Sequence, residues 1–349
     1  MKLDLVLPYG VGEAAAAATD YASAGVGGLW STEAGTDPFL DLLLPATNED
    51  VELFGTGVVA AFARSPLVTA EAAWQLQRVS SDRFALGLGT SVRAHVERRY
   101  GMTWERPGPR MREYIFALRS LWSAFRGGDS SFHGEFYRHD LLPPDFRPPV
   151  YAAQPDPAVY LAAFNPYNCE TVGLCCDGMI MHPFVTPEYF DAVTWPAVSA
   201  GLASSGRVRA DLSVQAQVFV ITGRDSAERD AMRRKVRGWI AHYGSTSAYR
   251  PLFELHGWGS NWAALNRAAK EGDVEAGLLQ VTDEIIDVLA LSADLDGIGE
   301  AAISKYGSTV DRVLLMHFDQ LGLADEASLR ALVSGFRSPA EAEARGMGS

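Results

Sequence analysis

A (β/α)8 TIM barrel, an α/β fold, is what this sequence predicts, and three observations indicate it. Short apolar runs alternate with longer helical patterns, eight such runs can be counted, and 349 residues suffice for eight strand–helix units with insertions. An open sheet fits this repetition less well. The runs predicted to form strands are 3–7, 28–31, 51–59, 84–89, 159–163, 178–181, 214–221 and 310–316.

The segments between the runs have helical patterns. Residues 12–24 are rich in alanine, and residues 66–79 follow the third run. In 110–125 the apolar side chains recur at spacings of three and four, which is typical of a helix with one buried face. The resulting order, strand then helix throughout, is the order that such a barrel requires.

Two segments interrupt this repeat. Residues 126–157 contain the sequence FHGEFYRHD followed by many prolines, which predicts a loop or hairpin insertion rather than a helix. Residues 225–288, near the C-terminal third, have a helical pattern but are too long for one strand-to-helix connection. We therefore expect a single barrel domain over 1–349, with 225–288 as a helical insertion that could form a lid.

Composition excludes several classes of partner. A net charge of −13 disfavours nucleic acid, and no window approaches the roughly 18 apolar residues of a membrane span. The start, MKLDLVLPYGV, has Asp and Pro inside the apolar stretch, so it predicts a strand rather than a signal peptide. Cys169, Cys175 and Cys176 form neither a disulfide framework nor a spaced metal-ligand set. We expect a cytoplasmic protein without a metal site.

Polar residues follow several of the predicted strands. Active sites of TIM barrels lie at the carboxyl ends of the strands, so these positions carry the functional prediction. Glu33 follows the second run, Thr90 and Ser91 follow the fourth, Asn165 follows the fifth, and His182 follows the sixth. We expect these side chains to converge on one barrel mouth.

Several short sequence segments resemble those of a known protein family. They are GLWSTEAGTDPFL, GTGVVAAFARSP, LQRVSSDRFALGLGT, RAHVERRYGMTWERPGPRMREY, HGEFY, DGMIMHPFVTPEYF and VFVITG. The chain resembles, over nearly its whole length, the bacterial-luciferase-like flavin and deazaflavin oxidoreductases. Within them it is similar to the actinobacterial group that uses coenzyme F420.

The resemblance implies a cofactor in the barrel mouth, a small-molecule substrate, and a homodimer. It implies a cis peptide bond at Gly57–Val58 beneath the cofactor ring, with Glu33 near the ring's edge. The residues expected to contact the cofactor are Gly57, Val58, Val59, Gly89, Thr90, Ser91, Arg93, Ala163, Phe164 and Asn165.

Alternatives remain open for the individual residues. His95 and His182 are candidates for proton transfer because imidazole titrates near neutral pH, but either could be a core or capping histidine. Glu33 could cap the next helix, and Thr90 with Ser91 could be turn residues only.

A basic stretch follows the fourth predicted strand. Bidentate guanidinium groups would suit the phosphate and carboxylates of an F420 tail, whereas salt bridges on a solvated helix face are the plainer alternative. The arginines concerned are Arg93, Arg98, Arg99, Arg106, Arg110 and Arg112.

Two features depart from the family pattern. Related chains carry a histidine before the Asp-Pro-Phe motif, where this chain has Thr36, so a proton donor is lost. Small residues are usual after the fifth strand, where this chain has Phe164 and Asn165. We expect these two side chains to obstruct or redirect a cofactor phosphate.

Three functions follow from this sequence. The first is an F420-dependent oxidoreductase that transfers a hydride between the deazaflavin ring and a hydrophobic small molecule. The second is an FMN-dependent monooxygenase that uses O2 and reduced flavin from a separate cofactor reductase. The third is a non-catalytic barrel with a degraded cofactor site. Aromatic residues expected to line an apolar mouth are Phe62, Trp104, Phe164 and Phe184.

Overall fold

Parallel strands alternate with helices in the computed structural model, which describes residues 1–149, 154–320 and 322–336. Eight strands close into a parallel barrel surrounded by helices, which confirms the predicted fold class. The strands are β1 (Lys2–Val6), β2 (Gly28–Ser31), β3 (Leu53–Thr56), β4 (Val59–Ala60), β5 (Phe84–Gly89), β6 (Phe132–His133), β7 (Arg138–His139), β8 (Ala158–Ala163), β9 (Gly178–Met181), β10 (Ser213–Ile221), β11 (Ala290–Ser292) and β12 (Arg312–Leu315).

The helices begin mostly at sequence signals for helix starts. Asp37, Ser65 and Asn165 each accept a hydrogen bond from a backbone N–H of the first turn that they precede. The helices are α1 (Val11–Ala24), α2 (Pro38–Leu43), α3 (Pro66–Val79), α4 (Pro107–Phe125), α5 (Pro166–Cys175), α6 (Pro187–Tyr189), α7 (Trp195–Ser205), α8 (Ser226–Gly244), α9 (Arg250–Leu255), α10 (Gly259–Glu271), α11 (Val274–Leu279), α12 (Asp283–Leu289), α13 (Ile298–Tyr306) and α14 (Glu326–Ser334).

One compact unit comprises Val6–Ile180 and Pro196–Val214 and holds β2 to β8 and most of β9. Here β3 and β5 approach each other closely, because Gly87 has no side chain. A Cβ atom at Gly87 would lie 1.8 Å from the Thr56 carbonyl oxygen. The Thr56 hydroxyl instead donates to the Gly87 carbonyl at 2.8 Å and accepts from the Gly87 N–H at 2.9 Å.

The other compact unit comprises Met1–Leu5, Met181–Trp195 and the described residues from Gln215 onward. Strand β12 pairs in parallel with β1 and with β10. Asp4, fully buried, accepts from Arg312 Nε at 2.8 Å and Nη2 at 2.6 Å, and from Gln215 Nε2 at 2.8 Å. A buried carboxylate needs such partners, since an unpaired charge in the interior is costly.

The two expected insertions contain the following elements. Helices α8 to α12 lie mostly within 225–288, and an antiparallel pair, β6 with β7, lies within 126–157. Residues 150–153 of the second segment are outside the described residues, as are 321 and 337–349. The assignment of 1–349 to one domain stays a prediction. Among the described residues, no helix combines the length and apolar composition that a membrane span needs.

Some boundaries differ from the sequence-based expectation. The run 51–59 is two strands, β3 and β4, with Gly57 and Val58 between them. The helix expected over 110–125 begins at Pro107, because proline suits the first helical position, where its missing N–H costs nothing. Strand β11 was not expected, since three residues carry too little pattern to predict a strand.

Candidate active site

Glu33, in the loop after β2, is the centre of a hydrogen-bonded network. Its Oε2 accepts from the Ala60 N–H at 2.7 Å, and its Oε1 accepts from Arg64 Nη1 at 2.7 Å and from the Tyr100 hydroxyl at 3.1 Å. The side chain is only 7% exposed. The alternative reading of Glu33 as a helix cap is wrong, because Asp37 caps α2. The network ties the loop after β2 to the end of β4.

The charges in this network reinforce one another. Arg64 Nη2 also donates to Asp37 Oδ2 at 2.9 Å, so one guanidinium serves two carboxylates. Burial lowers the pKa of Arg64, but the hydrogen bonds with Asp37 and Glu33 outweigh it and leave the pKa raised. Burial, and then the negative charge of Glu33, raise the pKa of Tyr100. The guanidinium and the phenol therefore both keep their protons.

The Gly57–Val58 peptide bond is cis, which confirms the prediction for this segment. It lies between β3 and β4, and Ala60, two residues further on, is the residue that Glu33 holds. Gly89, at the end of β5, makes room for Val58, because a Cβ atom at Gly89 would lie 2.6 Å from Val58 Cγ2. The second glycine of the GLGT sequence thus leaves the space that the Val58 side chain occupies.

A polar turn follows β5. Ser91 has a φ of 58°, in the left-handed region, and Thr90 Oγ1 makes one long hydrogen bond, 3.3 Å, to the Ser91 carbonyl. Both residues are half-buried, and the Ser91 hydroxyl has no hydrogen-bond partner among the described residues. His95 is exposed on the next turn, and Arg93 lies 3.8 Å from Glu97.

Most arginines of the basic stretch have partners within the protein. Arg106 pairs with Glu135, and Arg112 lies 3.6 Å from a Glu170 carboxylate oxygen. Arg110 stacks on the Phe62 ring at 4.5 Å and donates to the Tyr137 hydroxyl at 2.9 Å; Arg99 donates to the Ala34 carbonyl. Arg98 is exposed and has no ionic partner among the described residues. The plainer reading of the cluster as salt bridges and stacking therefore holds for several members.

The residues after β8 belong to the start of α5. Ala163 is buried, Phe164 is half-buried, and Asn165 is exposed. Asn165 Oδ1 accepts from the Asn168 N–H at 3.0 Å, so it caps the helix. This hydrogen bond uses one of the backbone donors that would otherwise be available to an anion.

His182 lies in the unit that contains β10 and β12. Its ring stacks on Tyr249 at 4.5 Å, and its Nδ1 accepts from the Phe184 N–H at 3.3 Å, which places the proton of the neutral ring on Nε2. The ring keeps some accessible surface, although protein surrounds it. Burial lowers the pKa of His182 to about 3, so the imidazole is neutral at physiological pH. Its Nε2–H can donate a hydrogen bond, but the ring is not poised as an acid.

Two aromatic residues expected to line a mouth are core residues instead. Phe62 and Phe184 are both fully buried. Phe62 contacts Trp104 edge-on at 6.0 Å, and Phe184 packs against Phe219 and Phe253. Their position in the sequence close to strand ends did not distinguish packing from substrate contact.

Three members of the Glu33 network were not predicted from the sequence. Arg64, Asp37 and Tyr100 lie within 2.7 to 3.1 Å of a partner there, although Tyr100 is 67 residues from Glu33 in sequence. Arg64 could have been found from chemistry, because a carboxylate buried at a strand end requires a nearby cation. Arg64 is an arginine that follows the next strand.

Comparisons with known protein sequences agree on one family. A family model for luciferase-like monooxygenases matches residues 7–312. An uncharacterized protein of Mycobacterium tuberculosis is 39% identical over 338 residues, which cover 97% of this chain and 98% of that protein. An F420-dependent glucose-6-phosphate dehydrogenase of Intrasporangium calvum is 32% identical over 219 residues, which cover 60% of this chain and 62% of that protein.

Solved structures share the barrel. The coenzyme F420-dependent tetrahydromethanopterin reductase of Methanopyrus kandleri aligns with a TM-score of 0.73 and 16% identity, over 95% of this chain and 96% of that one. The oxygenating constituent of 3,6-diketocamphane monooxygenase of Pseudomonas putida, in complex with FMN, aligns with a TM-score of 0.65 and 15% identity, over 96% and 98%. At such identities the likeness shows the fold alone.

Proposed function

Because this chain belongs to the luciferase-like monooxygenase family, whose members are F420- or flavin-dependent oxidoreductases, we propose that it uses F420. The reaction proposed is hydride transfer between the deazaflavin ring and a hydrophobic small-molecule substrate. The observation that carries the choice of F420 is the similarity to an F420-dependent dehydrogenase, 32% identical over 219 residues.

The turn after β5 suits an anionic cofactor tail. Thr90 and Ser91 present hydroxyl groups that the protein itself leaves largely unused, and Ser91 is in the left-handed conformation. Arg98, exposed and without an ionic partner among the described residues, adds a guanidinium on the following turn. Hydroxyl and guanidinium donors are the groups that bind phosphate and carboxylate oxygens, so the residues present fit the tail.

The roles proposed for the individual residues follow from their contacts. Glu33 holds the Ala60 N–H and so orients the backbone after Gly57 and Val58 on which the ring would rest. Gly89 leaves room for the Val58 side chain next to that backbone. When bound, the deazaflavin ring would supply the hydride-carrying carbon, and the protein supplies orientation and exclusion of water.

Glu33, His182 and His95, the three candidates for proton transfer, have different proposed roles. Glu33 accepts three hydrogen bonds that occupy both of its carboxylate oxygens, so the role we propose for it is to orient the backbone. His182 is neutral, with its free N–H on Nε2, so the role we propose for it is hydrogen bonding to a polar group. His95 is exposed and stays a candidate for proton exchange with solvent.

A binding experiment tests the choice of cofactor. The purified protein is titrated separately with F420 and FMN while ring fluorescence is followed. We expect saturable micromolar binding of F420, weakened severalfold in Arg98→Gln and unchanged in the matched control Arg126→Gln, whose partner is Asp156. Tight FMN binding without F420 binding would overturn the proposal.

The FMN-dependent monooxygenase is the second candidate, because an FMN-containing monooxygenase shares the fold. It requires reduced flavin from a separate cofactor reductase. Oxygen consumption on addition of chemically reduced FMN and candidate hydrophobic substrates, beyond the rate without protein, would favour it.

The departure at Phe164 and Asn165 bears on the third candidate, a barrel that binds cofactor poorly. If these side chains block an anion at α5, the double variant F164G/N165G gains about ten- to hundredfold in F420 affinity. Replacing a capping Asn by Gly costs only a few tenths of a kcal/mol, so the helix should persist. No gain in a variant with unchanged circular dichroism would show that Phe164 is not in the path of the phosphate.

A further inference from the structure

Seven aromatic side chains form a cluster near the carboxyl ends of β9, β10 and β12, within the compact unit that contains β12. Two of them are imidazoles: His182 directly follows β9, and His317 comes two residues after β12. Substrates of TIM barrels bind at this end of the strands. The aromatic cluster comprises His182, Phe184, Phe219, Trp239, Tyr243, Tyr249 and His317.

Helix α8 contributes two rings to the aromatic cluster. Trp239 and Tyr243 are four residues apart, so they lie on the same side of the helix. Trp239 stacks on His317 with 4.3 Å between ring centroids. The Tyr243 ring lies 5.4 Å from His182 and 6.4 Å from His317. One face of α8 therefore contacts both imidazoles.

His317 has an unusual backbone conformation. Its φ is 56°, in the left-handed region that residues other than glycine rarely adopt. Such conformations persist where the surrounding structure enforces them, and they concentrate at active sites and ligand-binding segments. The conformation of His317 marks the residues after β12 as a candidate ligand-binding segment.

The rings of the aromatic cluster differ in burial. Phe184 and Phe219 are fully buried, whereas the other five are half-buried. Rings that served packing alone would gain most from complete burial, because the hydrophobic free energy grows with the apolar area removed from water. Five adjacent half-buried rings leave apolar area that a flat ligand would cover.

His182 adds a hydrogen-bond donor to this surface. Its Nδ1 accepts from the Phe184 N–H at 3.3 Å, so the proton of the neutral ring is on Nε2. The Nε2–H has no hydrogen-bond partner in the part of the chain that the structure describes. Stacking on Tyr249, with ring centroids 4.5 Å apart, holds the plane of the imidazole. A half-buried N–H of this kind favours a ligand with an acceptor oxygen over a cation.

We propose that the aromatic cluster binds the substrate, and that the substrate is a flat conjugated ring that carries a carbonyl group. The ring stacks on the half-buried aromatic side chains, and the carbonyl oxygen accepts from His182 Nε2–H. This inference rests on the proposed function and narrows its hydrophobic substrate to aryl ketones and related conjugated carbonyl compounds.

Three probes test the two parts of this recognition separately. Methyl naphthyl ketone has both the flat ring and the carbonyl, ethylnaphthalene lacks the carbonyl, and methyl cyclohexyl ketone lacks the flat ring. Their affinities for the full-length protein are measured by equilibrium dialysis, without and with F420. We expect methyl naphthyl ketone to bind severalfold more tightly than either of the other two.

The outcomes for probe and cofactor can be told apart. Binding of methyl naphthyl ketone without any binding of F420 would contradict the proposed function and leave this binding site standing. F420 binding with no binding of the ketone, in the absence and in the presence of F420, would overturn the inference alone. Equal affinities for all three probes would also overturn it.

Variants assign the two contacts to residues. Trp239→Leu should weaken methyl naphthyl ketone and ethylnaphthalene severalfold alike, because both lose a stacking ring. His182→Leu should weaken the ketone alone, and His182→Gln, which keeps an N–H donor, should restore part of the loss. The matched control is Trp262→Leu on α10, a half-buried tryptophan that contacts Arg250 and should not affect any probe.

Two results from folded variants, judged by circular dichroism, would contradict these assignments. Unchanged ketone binding in Trp239→Leu would exclude the aromatic cluster as the site. Equal weakening of the ketone and ethylnaphthalene in His182→Leu, without recovery in His182→Gln, would mean that His182 contributes packing and does not donate to the carbonyl.

Discussion

Glu33 and Arg64 depend on each other for stability. The two side chains are 7% and 16% exposed, and their closest nitrogen–oxygen distance is 2.7 Å. Removing one partner of such a pair leaves a charge in the interior without compensation, which typically costs about 3–5 kcal/mol. Arg64→Met should therefore lower the free energy of unfolding by about 3 kcal/mol, measured by urea denaturation.

An exposed pair supplies the control for this prediction. Arg93 lies 3.8 Å from Glu97 with 69% of its side chain exposed, so Arg93→Met should cost under about 0.5 kcal/mol. Equal losses in the two variants would mean that Arg64 contributes packing and not charge.

His182 makes stability depend on pH. Burial lowers its pKa to about 3 in the folded protein, whereas an unfolded chain titrates near 6.5. Below pH of about 6.5 the unfolded state binds a proton that the folded state refuses, so stability falls with pH until about 3. At about pH 5 this term amounts to roughly 2 kcal/mol.

The test compares the parent protein with His182→Gln, which cannot titrate. Unfolding free energies are measured by urea denaturation between about pH 7 and about pH 5, where the parent should lose roughly 2 kcal/mol more than the variant. Other ionisable groups contribute equally to both proteins and cancel. Parallel pH profiles would show that His182 takes up its proton readily in the folded state.

At the level of elements, β5 can contact the residues that join β3 to β4 because Gly89 has no side chain. Gly89→Ala would bring a Cβ atom within 2.6 Å of Val58 Cγ2 but leave 3.6 Å to Val58 Cβ. Overpacking of this kind costs about 1–3 kcal/mol. In a Val58→Ala background the obstructing methyl is gone, so Gly89→Ala should cost little there.

A double-mutant cycle of unfolding free energies checks this expectation. The coupling between the two substitutions should be at least about 1 kcal/mol in the relieving direction. Additive effects would mean that the Val58 side chain is not what requires a glycine at position 89. The same four proteins, titrated with F420, would show whether the position of Val58 matters for the cofactor.

Elements were predicted well where the chain pattern is continuous. Phe84–Gly89 is the strand that its apolar run predicts, because burial on both faces selects six consecutive apolar or glycine residues. Strand positions also led to Glu33, since polar residues at strand ends stand out in sequence. Arg64 and Tyr100 were not found with it, because their contact to Glu33 exists only after β2, β4 and the turn after β5 are brought together. The burial of His182 was likewise invisible, since residues far along the chain, such as Tyr249, provide it.

For the molecule as a whole, we predict a homodimer that uses exposed apolar side chains on α2 and directly after it. Leu40, Leu43 and Leu44 are 58%, 43% and 49% exposed, respectively. Ala70 and Ala73 of α3 are fully buried within the protomer, so these small residues do not supply the surface. Light scattering should give about twice the chain mass of 37.8 kDa.

Substitutions on two exposed apolar surfaces test the location of the contact. Leu40→Glu should shift the protein to monomer, because a charge in an apolar interface is costly. Leu279→Glu, at a side chain 79% exposed on α11, should leave the dimer intact. A parent protein that is monomeric at micromolar concentration would contradict the prediction, and dissociation by Leu279→Glu alone would move the interface to α11.

The pairing of β1 with β12 has a consequence for the order of events during synthesis. The hydrogen-bonding neighbour of Lys2–Val6 on this side is Arg312–Leu315, and the partner of the buried Asp4 is Arg312. A nascent chain exposes β1 long before β12 has been synthesised. Until Arg312 has been synthesised, burial of Asp4 would leave its carboxylate without the guanidinium that pairs with it. Strand β1 therefore reaches its final place only after β12 has been synthesised.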